Sequence, residues 1–345
     1  MTRLAVIFGG RSDEHDISLM SASSVINALD REKFDIVYIG ITKQGDWKLY
    51  DGPVSGIESG EWEKSADDFN PWYIKKVADF AFPVLHGPNG EDGTIQGLFE
   101  MADIPYAGCG VLASSLTMDK LMAREVFRSR GLPVCEYAAV TKEELNDDKW
   151  RLTEKIEREL KGKYPVFVKP SNMGSSVGVS KVKCRDDMIY ALSEAAKFDR
   201  RLIVEEGIDG REFETAVLGN ARTEVATVGE IVPSAEFYDY TSKYFDGGKT
   251  EVIVPAKIEP DVYAEIRGIA AEAYRATDCA GFARVDFLYD NKRGKVYLNE
   301  INTIPGFTKF SMFPLLWQNV GMTYSGLLER IVGLGYERYN AKNNR

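Results

Sequence analysis

The sequence predicts a three-domain protein of mixed class, with an N-terminal α/β domain built on a parallel sheet and two α+β lobes after it. Two observations lead to this prediction. Apolar strands and helical segments alternate over the first hundred residues, which is the pattern of a parallel sheet flanked by helices. After residue 209 the strands follow one another at short spacing, which is typical of an antiparallel sheet. The length of 345 residues also exceeds that of one typical domain.

The N-terminal domain is predicted to occupy residues 1–108. Its strands are the apolar runs LAVIF, FDIVYIGI and FAFPVL, which begin at residues 4, 34 and 80. Its helices are LMSASSVINAL and TIQGLFEMA, in which apolar residues recur at helical spacing. Loops that contain glycine join the first and third strands to the helices after them. This strand–helix–strand order indicates parallel strands.

The central lobe is predicted to span residues 109–208. The segment MDKLMAREVFRSRG has helical periodicity and ends at a glycine, and residues 142–163 are predicted to form a charged surface helix. The runs YPVFVKP and VGVSKV are expected to pair as a hairpin across the loop SNMGSS. The helical run DMIYALSEAAKF and the strand RLIVEEGI complete a small α+β unit.

The C-terminal lobe is predicted to cover residues 209–345. Its strands are EFETAVLGN, ATVGEIVPS, ARVDFLYD and KVYLNEIN, at a spacing that favours an antiparallel sheet. The segment 234–257 is long, rich in tyrosine and phenylalanine, and weakly periodic. Long irregular loops inside compact domains are functional lids or disordered segments, and the aromatic residues here favour a lid.

Charge and composition exclude several classes of protein. The formal net charge of −10 argues against nucleic acid as a partner, but it is compatible with a local basic pocket for a small polyanion. The four cysteines are scattered, without a C-x-x-C pair, so we expect the reduced thiols of a cytoplasmic protein. No apolar run resembles a signal peptide or approaches the ~20 residues of a membrane span, so no membrane partner is expected.

Two strands near the C-terminus place acidic and amide side chains together. Arg284 and Asp286 share one face of GFARVDFLYD, and Glu300 and Asn302 share one face of KVYLNEIN. If the connecting loop has three residues, 292–294, and ends on a left-handed glycine, Asp286 lies opposite Glu300. Facing carboxylates repel unless a cation lies between them, and Asp, Glu and Asn oxygens suit Mg²⁺. A solvated pair on an exposed face is the alternative, which the apolar residues around both strands disfavour.

A second hairpin suggests a phosphate site of unusual order. In VFVKPSNMGSSVG, Lys169 precedes the glycine–serine loop, whereas a P-loop places its lysine after the glycines. A Mg²⁺ site on one antiparallel hairpin and a lysine followed by a glycine loop on another resemble the ATP-grasp fold. In that fold two α+β lobes clasp ATP.

Eight motifs, in order, resemble the D-alanine–D-alanine ligase family of ATP-grasp enzymes. They are FGGRSDEHDISL, HGPNGEDGTIQG, MDK, VKPSNMGSSVGVSKV, VEEGIDGREFETAVLG, EFYDYTSKY, GFARVDF and NEINTIPGFTKFSMFP. The resemblance implies ATP-dependent ligation of two D-alanines through a D-alanyl phosphate, for peptidoglycan precursor synthesis. It also implies Mg²⁺ or Mn²⁺ as a cofactor and a homodimer as the assembly.

The resemblance places the ATP site between the central and C-terminal lobes. Lys120 and Lys169 would neutralise the phosphates beside the backbone of the glycine loop. Family members often have lysine where this chain has Glu206, but that hinge contacts adenine largely through backbone. Glu212 matches the carboxylate that holds the ribose. The implied ATP set is Lys120, Lys169, Ser175, Ser176, Glu205, Glu206, Ile208, Glu212 and Lys243.

The same resemblance supplies catalytic and substrate roles. Glu14 would bind the ammonium of the first D-alanine, together with Ser175 and Tyr244. Arg284 and the Gly306 N–H would stabilise the oxyanion of the tetrahedral intermediate. The base that takes the second ammonium proton stays open between the Glu14–Ser175–Tyr244 group and the phosphate. The implied substrate and metal residues are Glu14, His86, Tyr244, Arg284, Gly306, Ser311 and Met312 for substrate, and Asp286, Glu300 and Asn302 for metal.

Three alternatives remain at this stage. A D-alanyl-D-serine or D-alanyl-D-lactate ligase would differ around Tyr244 and Met312, and tyrosine and methionine there resemble the members that join two D-alanines. Another ATP-grasp carboxylate–amine ligase would share Lys169, Glu300 and Asn302 but not HGPNGEDG or EFYDYTSKY. A non-catalytic binding protein would not need both lysines and a complete metal set.

Overall fold

Three β-sheets organise the chain in a computed structural model, which describes residues 1–174, 177–233 and 250–343. The N-terminal sheet contains β1 (Thr2–Gly9), β2 (Phe34–Ile41), β3 (Trp47–Tyr50), β4 (Asp67–Asp68) and β5 (Phe80–Pro83). Its strand order is β4–β3–β2–β1–β5. β1 is parallel to β2 and β5, which confirms the predicted parallel sheet, while β3 and β4 add an antiparallel edge. Its helices are α1 (His15–Ala28), α2 (Val54–Glu58), α3 (Ile74–Val77) and α4 (Thr94–Met101).

The central sheet is antiparallel, with order β6–β9–β7–β8. Its strands are β6 (Tyr137–Thr141), β7 (Val166–Pro170), β8 (Ser180–Val182) and β9 (Arg201–Glu206). The pairing of β7 with β8 confirms the predicted hairpin. The helices of this part are α5 (Val111–Met118), α6 (Lys120–Ser129), α7 (Lys142–Asp147), α8 (Lys149–Glu159) and α9 (Met188–Ala195).

The single helix predicted over 142–163 is wrong, because the chain breaks it at Asp148. This residue has an extended backbone (φ −154°, ψ 97°), and its carboxylate accepts from the N–H groups of Trp150 and Arg151. Aspartate competes for backbone donors in this way at helix starts. The result is two short helices, α7 and α8.

The C-terminal sheet is antiparallel, with order β12–β11–β10–β13–β14. Its strands are β10 (Gly210–Gly219), β11 (Thr223–Val232), β12 (Glu251–Ile253), β13 (Gly281–Asp290) and β14 (Lys295–Asn302). Its helices are α10 (Pro260–Ala276), α11 (Met312–Asn319) and α12 (Tyr324–Asn343).

The lid predicted over 234–257 is in part a strand. β12 pairs with residues 230–232 of β11, so the last part of that segment belongs to the sheet. Residues 234–249 lie outside the described residues, and the lid remains a prediction there.

The hairpin of β13 and β14 has the predicted pairing of Asp286 with Glu300, but its loop length and the strand register next to the loop differ from the prediction. Asp286 lies opposite Glu300, as predicted, and Gly294 is left-handed at φ 62°. The loop, however, has four residues, 291–294, since Asp290 pairs with Lys295. A β-bulge at Asn299 supplies the extra residue that brings the two carboxylates opposite each other. The prediction of a three-residue loop is therefore wrong, although the pairing it was used to derive is right.

Buried apolar clusters connect the three sheets. Helices α5 and α6 contribute Ala113, Ala123 and Phe127 to the core under β10 and β13, and Cys109, just before α5, joins them. Helix α12 packs in one cluster with β1 and β5. The predicted boundaries at 108 and 208 remain predictions, and by packing residues 109–127 lie with the C-terminal sheet. Among the described helices, none combines the length and the apolar character needed to cross a membrane.

Candidate functional site

A cavity of about 610 Å³ lies between the central and C-terminal sheets, where α1 and the loop after β5 of the N-terminal domain also line it. This volume suits a ligand of nucleotide size. Of the predicted site residues, Ser175, Ser176, Lys243 and Tyr244 lie outside the described residues. Asp286 is buried behind the wall. The others all line the cavity: Glu14, His86, Lys120, Lys169, Glu205, Glu206, Ile208, Glu212, Arg284, Glu300, Asn302, Gly306, Ser311 and Met312.

Lys120 reaches the cavity from the first turn of α6. The Asp119 carboxylate caps this helix by accepting from the Met122 N–H, and it also accepts from the Ser171 hydroxyl at 2.8 Å. The Lys120 N–H donates to the Ser171 carbonyl at 2.8 Å, which ties the helix to the end of β7. Its ammonium donates to the Met173 carbonyl at 2.6 Å.

The buried ammonium group of Lys120 would be stabilised by an anion bound in the cavity. Burial lowers the pKa of Lys120, and the Glu300 carboxylate, 3.9 Å away, opposes that shift. Lys169 also lowers this pKa, because two cations repel each other. A bound polyphosphate would relieve both effects.

Glu205 organises a buried cluster of ionic groups at the end of β9. Its Oε1 accepts from the Arg124 guanidinium at 2.9 and 2.5 Å, and its Oε2 accepts from the Lys169 ammonium at 2.7 Å. Burial by itself would raise the pKa of Glu205, but the Arg124 and Lys169 charges outweigh it and lower this pKa to about 2. The carboxylate is therefore ionised and holds Lys169 in place.

The Glu206 carboxylate connects the central part of the chain to the C-terminal sheet. It accepts from Lys163 at 2.9 Å and from Arg293 of the β13–β14 loop at 2.8 Å. Protein cations therefore hold the carboxylates of both Glu205 and Glu206. The contact of this segment with adenine remains a prediction.

Arg284 lies between two acidic side chains. It donates to both oxygens of Asp286 at 2.7 Å, and it lies 3.0 Å from Glu214 on the neighbouring strand β10. Burial disfavours the charged guanidinium, but Asp286 and Glu214 hold the pKa of Arg284 well above its usual range. Arg284 is thus a fixed positive charge in the cavity wall.

The predicted metal residues fit an oxygen-ligated divalent ion. Asp286 lies opposite Glu300, and the Asn302 amide donates to Asp286 at 2.8 Å, which leaves the amide oxygen as a ligand. Within the described chain, no three His, Cys, Asp or Glu side chains form a metal cluster, so the set depends on the Asn302 oxygen. Arg284 already contacts both oxygens of Asp286, so an ion would share that carboxylate with the guanidinium.

The N-terminal domain closes the cavity with buried polar groups. Glu14 begins α1 and His86 follows β5, and both side chains are buried. The Glu14 carboxylate comes so close to Gly87 that a Cβ there would lie 2.6 Å from it. His86 contacts the Ile304 carbonyl at 3.0 Å and the Ser21 hydroxyl at 3.1 Å through its two ring nitrogens. With both nitrogens in use, His86 does not offer its ring to a substrate in this arrangement.

The segment after β14 forms another part of the cavity wall. Gly306 lies beside Ser311, whose hydroxyl accepts from the Thr308 N–H at 3.1 Å. Met312 begins α11 and is 4% exposed, and a Cβ on Gly229 would lie 2.4 Å from its sulfur. Met312 therefore fills a tightly bounded part of the wall.

Sequence reasoning missed three residues that shape the site. Arg124 holds Glu205 and also donates to the Asn299 carbonyl at the bulge. Glu214 flanks Arg284, and Glu91 lines the cavity near Glu14. Arg124 lies in the predicted helix MDKLMAREVFRSRG, one turn after Lys120, while Glu91 and Glu214 lie inside the motifs HGPNGEDGTIQG and VEEGIDGREFETAVLG. All three were in segments already singled out, but the contact of Glu214 with Arg284 depends on the pairing of β10 with β13.

Comparison with known proteins identifies the family of the chain. Two family models match the chain: D-ala D-ala ligase N-terminus over residues 3–109 and D-ala D-ala ligase C-terminus over residues 126–333. The D-alanine–D-alanine ligase of Thermoanaerobacter sp. (strain X514) is 49% identical, with 99% of this chain and 98% of the relative covered. That of Acetivibrio thermocellus is 47% identical, with 98% and 96% covered.

Two solved structures are similar over nearly the whole chain. One is the VanG D-Ala:D-Ser ligase from Enterococcus faecalis, with a TM-score of 0.86 and 37% identity over 97% of this chain and 99% of that one. The other is the D-alanine–D-alanine ligase from Coxiella burnetii, with a TM-score of 0.85 and 33% identity over 99% and 96%.

The fold and the site define an ATP-grasp enzyme, an ATP-dependent ligase that forms ADP. The chain belongs to the D-alanine–D-alanine ligase family, which confirms the resemblance of its motifs. Its function is the ligation of D-alanine to D-alanine for peptidoglycan synthesis. The enzyme uses ATP and a divalent metal ion.

Proposed function

We propose that the ligation takes place in this cavity of about 610 Å³, through a D-alanyl phosphate intermediate. One observation carries this proposal: the cavity brings together Lys120, Lys169, Arg284 and the Gly306 backbone from separate parts of the chain. Three cations and a backbone donor suit a reaction that handles a polyphosphate first and an oxyanion second.

In the first step the carboxylate of one D-alanine attacks the γ-phosphorus of ATP, and the bond to the β-phosphate oxygen breaks to release ADP. Lys120 and Lys169 neutralise the phosphates and hold them in line. When bound, Mg²⁺, or Mn²⁺ in its place, supplies further neutralisation of the phosphate charge, with Asp286, Glu300 and Asn302 as its ligands.

In the second step the amine of another D-alanine attacks the acyl carbon, and phosphate leaves. Arg284 and the Gly306 N–H stabilise the oxyanion of the tetrahedral intermediate. The ammonium proton goes to the Glu14–Ser175–Tyr244 group or to the phosphate. The roles of Ser175, Ser176, Lys243 and Tyr244, and the lid of 234–249, rest on the family resemblance. Closure of such a lid would protect the acyl phosphate from water.

The test is phosphate release from Mg-ATP with D-alanine alone and with D-alanine mixed with D-serine or D-lactate, and L-alanine alone is the negative control. The products are identified by mass. We expect release with D-alanine and formation of the dipeptide. A mixed product with D-serine or D-lactate as efficient as the D-alanine dipeptide would contradict the assignment of the second substrate. Replacing Mg²⁺ with Mn²⁺ in the same assay determines which ion supports the higher rate.

We infer a homodimer in the cytoplasm on the same resemblance, with no nucleic acid or membrane partner. Light scattering coupled to size exclusion measures the mass directly, and a mass near 38.6 kDa would contradict the dimer.

A further inference from the structure

The backbone on both sides of Gly306 is held by side chains from distant parts of the chain. Ile304 donates its N–H to the Glu91 carboxyl group at 3.3 Å, and its carbonyl accepts from the His86 ring at 3.0 Å. The Phe307 N–H donates to the Ser21 hydroxyl at 3.4 Å, and the Phe307 carbonyl accepts from the Tyr324 hydroxyl. All four polar groups of these two peptide residues are therefore fixed.

One continuous chain of hydrogen bonds runs from the Ile304 carbonyl through His86 and Ser21 to the Phe307 N–H. A carbonyl only accepts, so His86 donates from Nδ1 to Ile304, and its neutral Nε2 is then an acceptor. Ser21 donates its hydroxyl hydrogen to that Nε2 at 3.1 Å while its oxygen accepts from Phe307. Each member has a defined donor or acceptor role, which fixes the tautomer of His86.

Glu91 anchors the same segment to the loop that carries His86. Its Oε1 accepts from the Gly87 N–H at 2.9 Å, while its Oε2 accepts from Ile304. His86 is 4% exposed and Ser21 is fully buried, so water does not compete readily for these bonds. The network joins the N-terminal domain to the segment after β14.

Gly306 itself keeps its N–H available. Among the described residues none accepts a hydrogen bond from it, and Gly306 lines the cavity. The preceding residue, Pro305, restricts the backbone further because its ring fixes φ. A donor with fixed neighbours on both sides, and with no acceptor among the described residues, is prepared for a ligand oxygen.

We propose that Ser21, His86 and Glu91 are positioning residues that hold the 304–307 backbone so that the Gly306 N–H is aimed at the oxyanion of the second step. The inference rests on the proposed function. It gives His86 a role through the backbone of Ile304 and not through contact with D-alanine. It also predicts that loosening the network slows the attack on the acyl phosphate more than its formation.

The test uses Ser21→Ala in the full-length enzyme, and the readout is the ratio of ADP formed to dipeptide formed. This variant removes the acceptor of Phe307 and the donor to His86 but leaves Lys120 and Lys169 unchanged. We expect kcat for the dipeptide to fall about tenfold, which corresponds to one lost buried hydrogen bond. The KM for ATP should be unchanged. Because D-alanyl phosphate then persists and is lost to water, the ratio should rise above the wild-type value.

The matched control is Ser23→Ala on the same helix. Ser23 is also buried, but its hydroxyl has no hydrogen-bond partner among the described residues, so kcat and the ratio should stay at wild-type values. His86→Gln serves as a second variant, since its amide oxygen can replace the Nε2 acceptor while the donor to Ile304 is lost. It should also raise the ratio.

The ratio does not depend on how much of a variant is folded, so a loss of stability cannot imitate the expected result. If ADP and dipeptide fall together in Ser21→Ala and His86→Gln, with an unchanged ratio, the network has only a structural role and the proposal is overturned. Unchanged kcat in both variants overturns it as well. A wild-type enzyme that forms ADP but no dipeptide from D-alanine would instead show that the proposed function is wrong.

Discussion

At the scale of single residues, the site depends on buried charges that have partners. Glu205 has a side chain only 5% exposed, and it is stable there because Arg124 and Lys169 bind its two oxygens. Removing one member of such a buried group leaves the others uncompensated, which is far more costly than removing an exposed pair. Glu205 also fixes the position of Lys169, whose side chain lines the cavity.

Replacing Glu205 with Gln should lower the free energy of unfolding by about 3 to 5 kcal/mol, because two buried cations lose their counter-charge. The matched control is Glu272→Gln, which removes an exposed pair with Arg275 and should cost less than about 0.5 kcal/mol. Urea unfolding of both variants measures the difference. Equal losses would contradict the importance of the buried cluster.

Glu205 also predicts how stability responds to acid. Its pKa of about 2 in the folded protein lies below the ordinary value of about 4.3, so its stabilisation is present above pH ~4.3 and is lost as pH falls towards 2. Glu205→Gln should therefore show a weaker loss of stability across this window than the wild type. Unfolding midpoints measured between pH 5 and 2.5 test this. Parallel curves for the two proteins would refute it.

Asp286→Ala and Glu300→Ala test the metal assignment at the same scale. Either change should lower the rate of ADP formation by about 100-fold or more, since phosphate charge is then poorly neutralised. The fold should survive, because Arg284 keeps Glu214 as a partner. Near-normal activity in either variant, with an unchanged unfolding midpoint, would contradict the metal site.

At the scale of elements, a bulge sets the geometry of the β13–β14 hairpin. The extra residue, Asn299, shifts the register of β14 by one position and brings Glu300 opposite Asp286. Its carbonyl accepts from Arg124, so the bulge also connects β14 to α6. Bulges of this kind redirect side chains near active sites. Asn299 thus connects the predicted metal ligands on β14 to α6, the helix that carries Lys120.

The start of β13 offers a second prediction at this scale. Gly281 has φ +74°, and a Cβ on it would lie 3.0 Å from the Gly108 backbone. Gly281→Ala should destabilise the protein by about 2 to 4 kcal/mol, from strain and from this contact. Gly268→Ala, in the exposed middle of α10 with no atoms near its Cβ, should instead stabilise by about 0.5 to 1 kcal/mol. Thermal unfolding of both variants tests this prediction. We expect a lower unfolding midpoint for Gly281→Ala and a higher one for Gly268→Ala than for the wild type.

At the scale of the whole molecule, stability should decline on the alkaline side. Burial, and then the Glu14 charge, raise the pKa of Glu91 to about 8, although the Gly87 and Ile304 N–H groups and Arg284 oppose this. His86, which also faces this site, stays neutral because burial lowers its pKa. A raised carboxyl pKa means that stability is full below pH ~4.3 and is lost as pH rises through 8.

Glu91→Gln removes this titration, so its unfolding free energy should vary less between pH 6 and 9 than that of the wild type. The amide still accepts one hydrogen bond but loses the other, so the variant should be less stable than wild type at pH 6. Chemical unfolding across this range measures both effects. An identical pH slope in the two proteins would contradict the raised pKa.

Local patterns were sufficient to predict most of the fold and much of the site. The strand runs and the β7–β8 hairpin follow from alternation and turn residues. The predicted pairing of Asp286 with Glu300 is right only because the bulge at Asn299 compensates for a loop one residue longer than predicted. The end of the first helix at Asp148 also has a local cause, the capping aspartate, but the helical propensity of the residues on either side obscured it. The bulge at Asn299 and the contact of Glu214 with Arg284 depend on tertiary pairing, which no single stretch of sequence reveals. Most of the functional roles came from the order of the motifs.

The position of α12 determines when the N-terminal domain can finish folding. This helix packs with the first and fifth strands: Phe80 and Tyr336 have ring centroids 4.9 Å apart, and Lys33 pairs with Glu329 at 2.8 Å. During synthesis this helix is the last of the described elements to be made, roughly 15 to 60 s after β1 at translation rates of ~5–20 residues per second. Throughout that delay, the emerging chain exposes an apolar sheet face that chaperones can bind. A nascent chain truncated before residue 324 should therefore stay chaperone-bound, even though its first 108 residues are complete.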